Sequence, residues 1–188
     1  SDPEYVCCSA TIGNPVEHAA TVTGRPESSY VAVTDDESAA GPTHWLFWNP
    51  PEYEDGGGWG SGRRKSSHTE TKRLFVDLVA RGLQTVAFTR SRQTAERYAS
   101  ESADDLRRRG EREAAESVTA YQAALTSDRR RSVEQGLSSG EIRGVWSTNA
   151  LELGVDIGGL DAVLLDGYPG TRMAAFQQAG RAGRGDDD

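Results

Sequence analysis

The chain has 188 residues, of which 36% are hydrophobic, and 29 acidic against 21 basic residues give a formal net charge of -8. This length can bury one good hydrophobic core, so we expect one main domain with short appendages. The sequence has no apolar run near the roughly 20 residues of a membrane span and no opening signal pattern, which indicates a cytoplasmic protein without membrane contact.

Arginine dominates the basic residues. Lys65 and Lys72 are the only lysines, so arginine supplies 19 of the 21 basic residues. An acidic, lysine-poor and arginine-rich composition is typical of halophilic archaea, and strong brine would screen simple charge attraction to nucleic acid. Any such binding would then rest on short, bidentate contacts.

Cysteine use excludes a disulfide scaffold and a metal site. Cys7 and Cys8 are adjacent and have neither a framework of partners nor metal-ligand spacing. We expect them to be buried strand residues in a reducing compartment, and we expect no metal ligands in this chain.

The first third of the chain predicts short strands around one helix. Asn14 is a candidate N-cap with Pro15 at the first helical position, and Gly24 is a stop signal. Residues 52–67 are rich in glycine and serine and predict a surface loop inserted after Pro50 and Pro51. Strands are predicted over 5–11, 30–34 and 44–48.

From Thr69 the pattern alternates between helix and strand. Apolar residues at helical spacing predict a helix through Leu74 and Val79, Ser91 is a natural N-cap for a helix to about 109, and Thr126 or Ser127 caps another to about 137. Strands are predicted over 84–89, 117–121, 143–147 and 162–166. The alternation predicts an α/β fold, a parallel sheet with helices on both faces.

Candidate functional residues follow these strands. In a parallel sheet, ligands bind outside the carboxyl ends of the strands. The residues at that edge are 89–92, Thr148, Asn149 and 166–168.

Arg181 and Arg184 indicate an anion-binding site. A glycine precedes each of them, which lets the backbone approach closely, and the spacing of three residues places both guanidinium groups on one side of a helical turn. The planar guanidinium matches phosphate oxygens bidentately and stays charged, so it suits phosphoryl transfer.

Four blocks of this sequence resemble helicase motifs. Residues 147–158, Ser-Thr-Asn-Ala-Leu-Glu-Leu-Gly-Val-Asp-Ile-Gly, and 177–184, Gln-Gln-Ala-Gly-Arg-Ala-Gly-Arg, resemble motifs V and VI of the superfamily 2 helicases, the DEAD/DEAH-box class. Ser-Ala-Thr at 9–11 resembles motif III, and residues 86–92 resemble motif IV. The blocks stand in family order and are most similar to the mitomycin-repair-factor (YprA-like) branch of DNA helicases.

The resemblance implies the second RecA-like lobe of an ATP-dependent helicase. Residues 1–28 would be the end of the first lobe with motif III and a linker, and residues 29–188 would be the C-terminal lobe with its glycine-rich insertion at 52–67. The complete protein would move 3′ to 5′ along single-stranded DNA, with RNA also possible, and a role in DNA repair is implied. Its first lobe would be a partner of this one.

The same resemblance implies roles around ATP. Arg181 and Arg184 would be arginine fingers that reach the γ-phosphate, with Gln177 near the same phosphate. Asp156 would face the ribose, and Gly154 would allow close backbone approach. The alternatives are a solvated helix end for the arginines, a capping or surface glutamine, and a structural acceptor role for Asp156.

Further residues would contact nucleic acid or couple hydrolysis to movement. Thr148, Ser91, Arg92 and Arg130 would contact the nucleic-acid backbone. Ser91 could simply cap its helix, and Arg130 could be solvated. Ser9, Ala10 and Thr11 would form the coupling motif.

Two features of an ATP-hydrolysing lobe are missing from the sequence. Residues 57–62 have the glycine spacing of a P-loop, but Arg63 and Arg64 follow where Lys and Ser/Thr are required. Residues 35–38 are acidic but come after motif III, which is the wrong order for the magnesium motif. We therefore expect ATP and Mg²⁺ to be held mainly by the first lobe, and this chain alone to be inactive.

One other class of protein stays open, and a third class lacks the motif that it requires. The chain could be a non-catalytic nucleic-acid-binding or interaction module that keeps the motifs as scaffold. A dinucleotide-binding enzyme would need a Gly-x-Gly-x-x-Gly turn after its first strand, and residues 9–13 do not supply it.

Overall fold

The computed structural model describes residues 3–9, 12–34, 43–53, 64–152 and 159–183. The chain divides into two compact units, Ser1–Ala39 and Ala40–Asp188. The helices and strands of the described ranges are α1 Pro15–Thr23, α2 Ser67–Ala80, β1 Thr85–Phe88, α3 Arg92–Arg108, α4 Arg112–Glu116, β2 Val118–Tyr121, α5 Ser127–Ser138, β3 Gly144–Ser147, β4 Ala162–Leu165 and α6 Arg172–Ala179. Short 3₁₀ turns cover Glu27–Ser29 and Asn149–Leu151.

The first unit is built around α1, as its cap signals predict. Pro15 opens the helix, and Gly24 ends it in the left-handed conformation with φ of 71°. Asn14 does not cap with its side chain, because its amide nitrogen instead donates to the Glu17 carboxylate at 2.7 Å. The Arg25 guanidinium lies over the Tyr5 ring, 5.9 Å from its centroid.

The three strands predicted before residue 50 are wrong wherever the structure describes them. The described residues of 5–11, 30–34 and 44–48 lie outside helices and strands. A strand needs a neighbour to pair its backbone groups, and within the described residues these segments form no ladder. Cys7 and Cys8 are consequently exposed free thiols rather than buried strand residues.

The second unit is a four-stranded parallel sheet in the order β2-β3-β1-β4. Phe88 pairs with Ser147 on one side and with Leu165 on the other, and Tyr121 also pairs with Ser147. All four strands therefore end in one row. The residues that follow them meet at a single carboxyl edge.

Alternate residues of the strands face two hydrophobic cores. Ala87 of β1 and Trp146 of β3 pack with α2, α3 and α4 on one face. Val86 and Val145 pack with α5 on the other face. Burial on both faces explains the near-continuous apolar sequence of these strands, and it confirms helices on both sides of the sheet.

The glycine-rich insertion is closed at its base. Glu52 and Arg64 form an isolated antiparallel pair, and Arg64 Nη2 lies 3.2 Å from Glu52 Oε1. The Lys65 amide donates to the Pro51 carbonyl at 2.9 Å, and α2 begins at Ser67. Residues 54–63 of the predicted loop lie outside the described residues.

The described part of the chain contains no helix that is long and apolar enough to cross a membrane.

Candidate functional site

Four buried polar residues follow the four strands and form what we call the carboxyl-edge row. The Thr89 amide donates to the Ser147 carbonyl at 2.8 Å, and the Asp166 amide donates to the Phe88 carbonyl at 3.0 Å, so pairing continues one residue past the strands. Each member of the row is at most 9% exposed. In sheet order they are Gln122, Thr148, Thr89 and Asp166.

The turn after β1 places two predicted contact residues at a helix N-terminus. Ser91 is the N-cap of α3, and its hydroxyl accepts a hydrogen bond from the Thr94 amide at 3.4 Å. Ser91 and Arg92 are both exposed. The first turn of a helix favours anions because its amides point outward. The predicted capping role of Ser91 is confirmed, and its contact with nucleic acid stays a prediction.

Thr148 lies between β3 and the 3₁₀ turn over Asn149–Leu151. It is 7% exposed, and its carbonyl accepts a hydrogen bond from the Ser147 hydroxyl at 2.8 Å. Asn149 beside it is exposed. Thr148 thus presents only a small polar surface at the edge.

Glu152 joins the motif V segment to the motif VI helix. Its carboxylate accepts a hydrogen bond from Gln178 Nε2 at 3.1 Å, and its backbone carbonyl accepts one from Arg181 Nη2 at 2.7 Å. Gln178 is 6% exposed and Arg181 is 9% exposed. We call these three residues the Glu152 clasp. Arg181 is therefore a buried, oriented side chain and not a solvated helix end.

The structure leaves several predicted site residues without a described position. Gly154, Asp156, Arg184, Ala10 and Thr11 lie outside the described residues. Their predicted roles stay predictions.

The other predicted residues are described individually. Ser9 is exposed in the first unit, and Gln177 is half-buried on α6. Arg130 is exposed in the first turns of α5, where its Nη2 donates to the Ala123 carbonyl at 2.9 Å. That bond fixes Arg130 beside the loop that follows β2.

Sequence reasoning missed the contacts that organise the site. Gln178 rather than Gln177 reaches Glu152, and Arg181 lies just past the end of α6, Arg172–Ala179. His68 Nδ1 lies 2.5 Å from Asp166 Oδ2, a contact between residues 98 positions apart. The sequence carries no local signal for this second pair.

Two buried groups have shifted pKa values for reasons of packing. Burial and a 2.6 Å hydrogen bond from its hydroxyl to Glu134 raise the pKa of Tyr121 to about 12. A hydrogen bond from Arg73 at 3.0 Å holds the pKa of the Glu70 carboxyl below its usual value. Tyr121 thereby ties β2 to α5, whereas Glu70 and Arg73 form a pair within α2, three residues apart.

Metal binding has no candidate centre in the described ranges. Across residues 3–9, 12–34, 43–53, 64–152 and 159–183, no three His, Cys, Asp or Glu side chains come close enough together to hold an ion.

The fold and the edge define a class of protein. A parallel α/β sheet in this strand order, with its polar residues at the carboxyl edge, has the architecture of a RecA-like helicase lobe. The chain belongs to the family of the helicase conserved C-terminal domain, which matches residues 70–186.

Two relatives and one solved structure are similar to this chain over almost its whole length. The ATP-dependent helicase YprA of Bacillus subtilis is 39% identical over 185 residues, which are 98% of this chain and 23% of YprA. The ATP-dependent helicase HRQ1 of Saccharomyces cerevisiae is 34% identical over 188 residues, 98% of this chain and 17% of HRQ1. The crystal structure of the DUF1998 helicase MrfA bound to DNA and AMPPNP matches with a TM-score of 0.85 and 38% identity, over 98% of this chain and 24% of MrfA.

This chain spans only about a quarter or less of the length of these relatives.

Proposed function

We propose that this chain is the second motor lobe of an ATP-dependent DNA helicase. Its task is to complete an ATP site on a first lobe of the same polypeptide and to grip single-stranded DNA. The relatives named as ATP-dependent helicases and the MrfA complex with DNA and AMPPNP support this assignment. Residues 1–28 would then belong to the first lobe and its linker, and residues 29–188 to this one.

The Glu152 clasp is the observation that carries the proposal. A guanidinium that is to stabilise charge on a transferring phosphoryl group must be oriented before the reaction, because fixed donors need no reorganisation. The bond to the Glu152 carbonyl, together with burial of Arg181, supplies such an orientation. Arg184 would act beside Arg181, and Gln177 would lie near the same phosphate.

The ATP itself would be the substrate, held mainly by the first lobe. Asp156 and Gly154 would be this lobe's contribution to nucleotide binding. Mg²⁺ would also be held by the first lobe, since the described residues here offer no group of metal-ligating side chains. It would neutralise phosphate charge when bound.

The carboxyl edge would hold the nucleic acid. Ser91 and Arg92 offer exposed donors at the α3 N-terminus, and Thr148 follows the neighbouring strand β3. Backbone contacts of this kind position a strand without reading its sequence. Closing and opening of the two lobes during hydrolysis would then shift the strand between two sets of contacts.

Strand separation by the full polypeptide tests the proposal. We expect ATP-dependent unwinding of a DNA duplex with a 3′ single-stranded tail, and little or none with a 5′ tail or without ATP. An RNA tail in place of DNA compares the two substrates. ATP-independent binding without unwinding on either tail would instead identify a non-catalytic module.

A further inference from the structure

The His68–Asp166 pair lies at the carboxyl edge, outside the predicted set of contact residues. His68 is the second residue of α2, and a short turn connects the end of α2 to the start of β1. The helix therefore begins near the opposite, carboxyl end of the sheet. Asp166 directly follows β4 and belongs to the carboxyl-edge row.

The backbone around Asp166 is held in place. Its amide donates to the Phe88 carbonyl at 3.0 Å, and Gly167 turns the chain with φ of 85°, a conformation that favours glycine. Arg90 Nη2 donates to the Tyr168 carbonyl at 2.6 Å and so ties this turn to the end of β1. Asp166 is thus a fixed point to which another side chain can be oriented.

Asp166 holds His68 by one ring nitrogen. The Asp166 side chain is completely buried, whereas 57% of the His68 side chain is exposed. With a carboxylate partner, Nδ1 carries the hydrogen and donates to Asp166 Oδ2. Among the described residues, Nε2 has no hydrogen-bond partner, so the pair presents one oriented nitrogen to solvent at this edge.

The carboxylate has a second, unused oxygen. Asp166 Oδ1 is buried and receives no hydrogen bond from the described residues. An unsatisfied buried acceptor costs free energy, and a carboxylate in this state favours a positive charge beside it.

We propose that His68, oriented by Asp166, is a further contact to the backbone phosphate of the bound single strand. This inference rests on the proposed function. The imidazolium would donate Nδ1–H to Asp166 and Nε2–H to a phosphate oxygen, taking up one proton from solvent as the strand binds.

The spacing of the strands suits one bound strand that touches Thr148, the α3 N-terminus and His68. β1 lies between β3 and β4, so Thr148 and Asp166 are two strand spacings apart, roughly 10 Å. Thr89 lies between them, with Ser91 and Arg92 just beyond it. His68 adds a donor beside Asp166, at the β4 end of this row.

Other charged groups near His68 are already engaged. Lys72, one turn further along α2, pairs with Glu101 of α3 at 2.8 Å. The Tyr98 ring of α3 lies 6.1 Å from the His68 ring, and Arg97 lies over Tyr98 at 5.0 Å. Asp166 is therefore the partner that acts directly on His68.

Binding of a labelled oligothymidylate by the full polypeptide, at about pH 6 and about pH 8 at equal salt, tests the contact. We expect the wild type to bind more tightly at the lower pH. His68→Gln should weaken binding at the lower pH about tenfold and remove most of the pH dependence, because a charge-assisted bond is lost. Asp166→Asn should act in the same direction.

The matched control is His18→Gln, at an exposed histidine on α1, which should keep wild-type affinity at both pH values. Wild-type affinity and pH dependence in His68→Gln, with weaker binding in Arg92→Ala, would overturn this contact and leave the proposed function standing. A lower unfolding temperature in His68→Gln and Asp166→Asn with unchanged binding would overturn it in favour of packing. A wild type that does not bind the oligonucleotide would overturn both proposals.

Discussion

At the residue scale, the space around position 144 allows only glycine without rearrangement of its neighbours. Gly144 opens β3 where a helix face and a neighbouring strand converge. A Cβ there would lie 2.8 Å from Phe75 Cζ and 3.0 Å from a Val118 methyl and a Val79 methyl. These distances are shorter than ordinary contacts, so glycine is required by packing and not by backbone conformation.

Gly144→Ala should lower the free energy of unfolding by about 1–3 kcal/mol, because the Phe75 ring and two valines would have to move. Denaturant unfolding measures this change. Gly13→Ala is the control, since a Cβ at Gly13 would meet no atom of the described residues within 4 Å. Equal effects of the two substitutions would contradict the packing argument.

Tyr121 makes the stability of the fold decrease at alkaline pH. Its pKa is raised to about 12, so between the ordinary tyrosine pKa of about 10 and this value the unfolded chain loses the proton while the folded chain keeps it. Stability from this group is complete below about pH 10 and falls as the pH rises further, by at most about 1.4 kcal/mol per pH unit. Tyr121→Phe should show a shallower fall of unfolding temperature over that range. An identical pH profile in the two proteins would refute this.

At the element scale, the residues of the candidate site meet because four strands end in one row at the carboxyl edge of the sheet. The four strands β1–β4 were predictable because each is a short, continuous apolar run between helix signals. The caps Ser91 and Thr126 were predictable because side-chain oxygens at those positions accept backbone hydrogen bonds. Those two kinds of signal were enough to locate the carboxyl edge that holds the candidate site.

The errors have equally physical causes. Apolar stretches such as 44–48 have the composition of strands, but strand formation depends on a partner that local sequence does not name. Helix α4, Arg112–Glu116, is a five-residue element after Gly110 and carries too short a pattern to detect. The Glu152–Gln178 and His68–Asp166 contacts join residues 26 and 98 positions apart, so they follow from the fold alone.

The cap of α5 offers a direct test at this scale. The Thr126 hydroxyl accepts the Arg129 amide at 3.3 Å, so Thr126→Ala should cost about 1 kcal/mol of stability in denaturant unfolding. Ser127→Ala, one position later and also exposed, is the matched control and should change stability by less than about 0.5 kcal/mol. A larger loss of stability in Ser127→Ala than in Thr126→Ala would contradict the assignment of Thr126 as the cap.

At the scale of the whole molecule, a chain with a net charge of -8 is proposed to hold a polyanion. Long-range attraction cannot supply that affinity, so the contacts must be local and oriented. The carboxyl-edge row, the α3 N-terminus and the His68–Asp166 pair are local arrangements of this kind. Under the proposed function, the Glu152 clasp would orient Arg181 toward the nucleotide in the same local way.

DNA-stimulated ATP hydrolysis by the full polypeptide, wild type against Arg181→Ala, tests the central claim most directly. Binding of ATP and of single-stranded DNA is measured in parallel, with the exposed Arg92→Ala as a comparison that should weaken DNA binding. We predict that Arg181→Ala keeps both ligands and loses turnover by about 10³-fold or more, since an arginine finger stabilises charge that develops only during phosphoryl transfer. Unchanged turnover with both ligands bound would contradict the account and make Arg181 a scaffold residue.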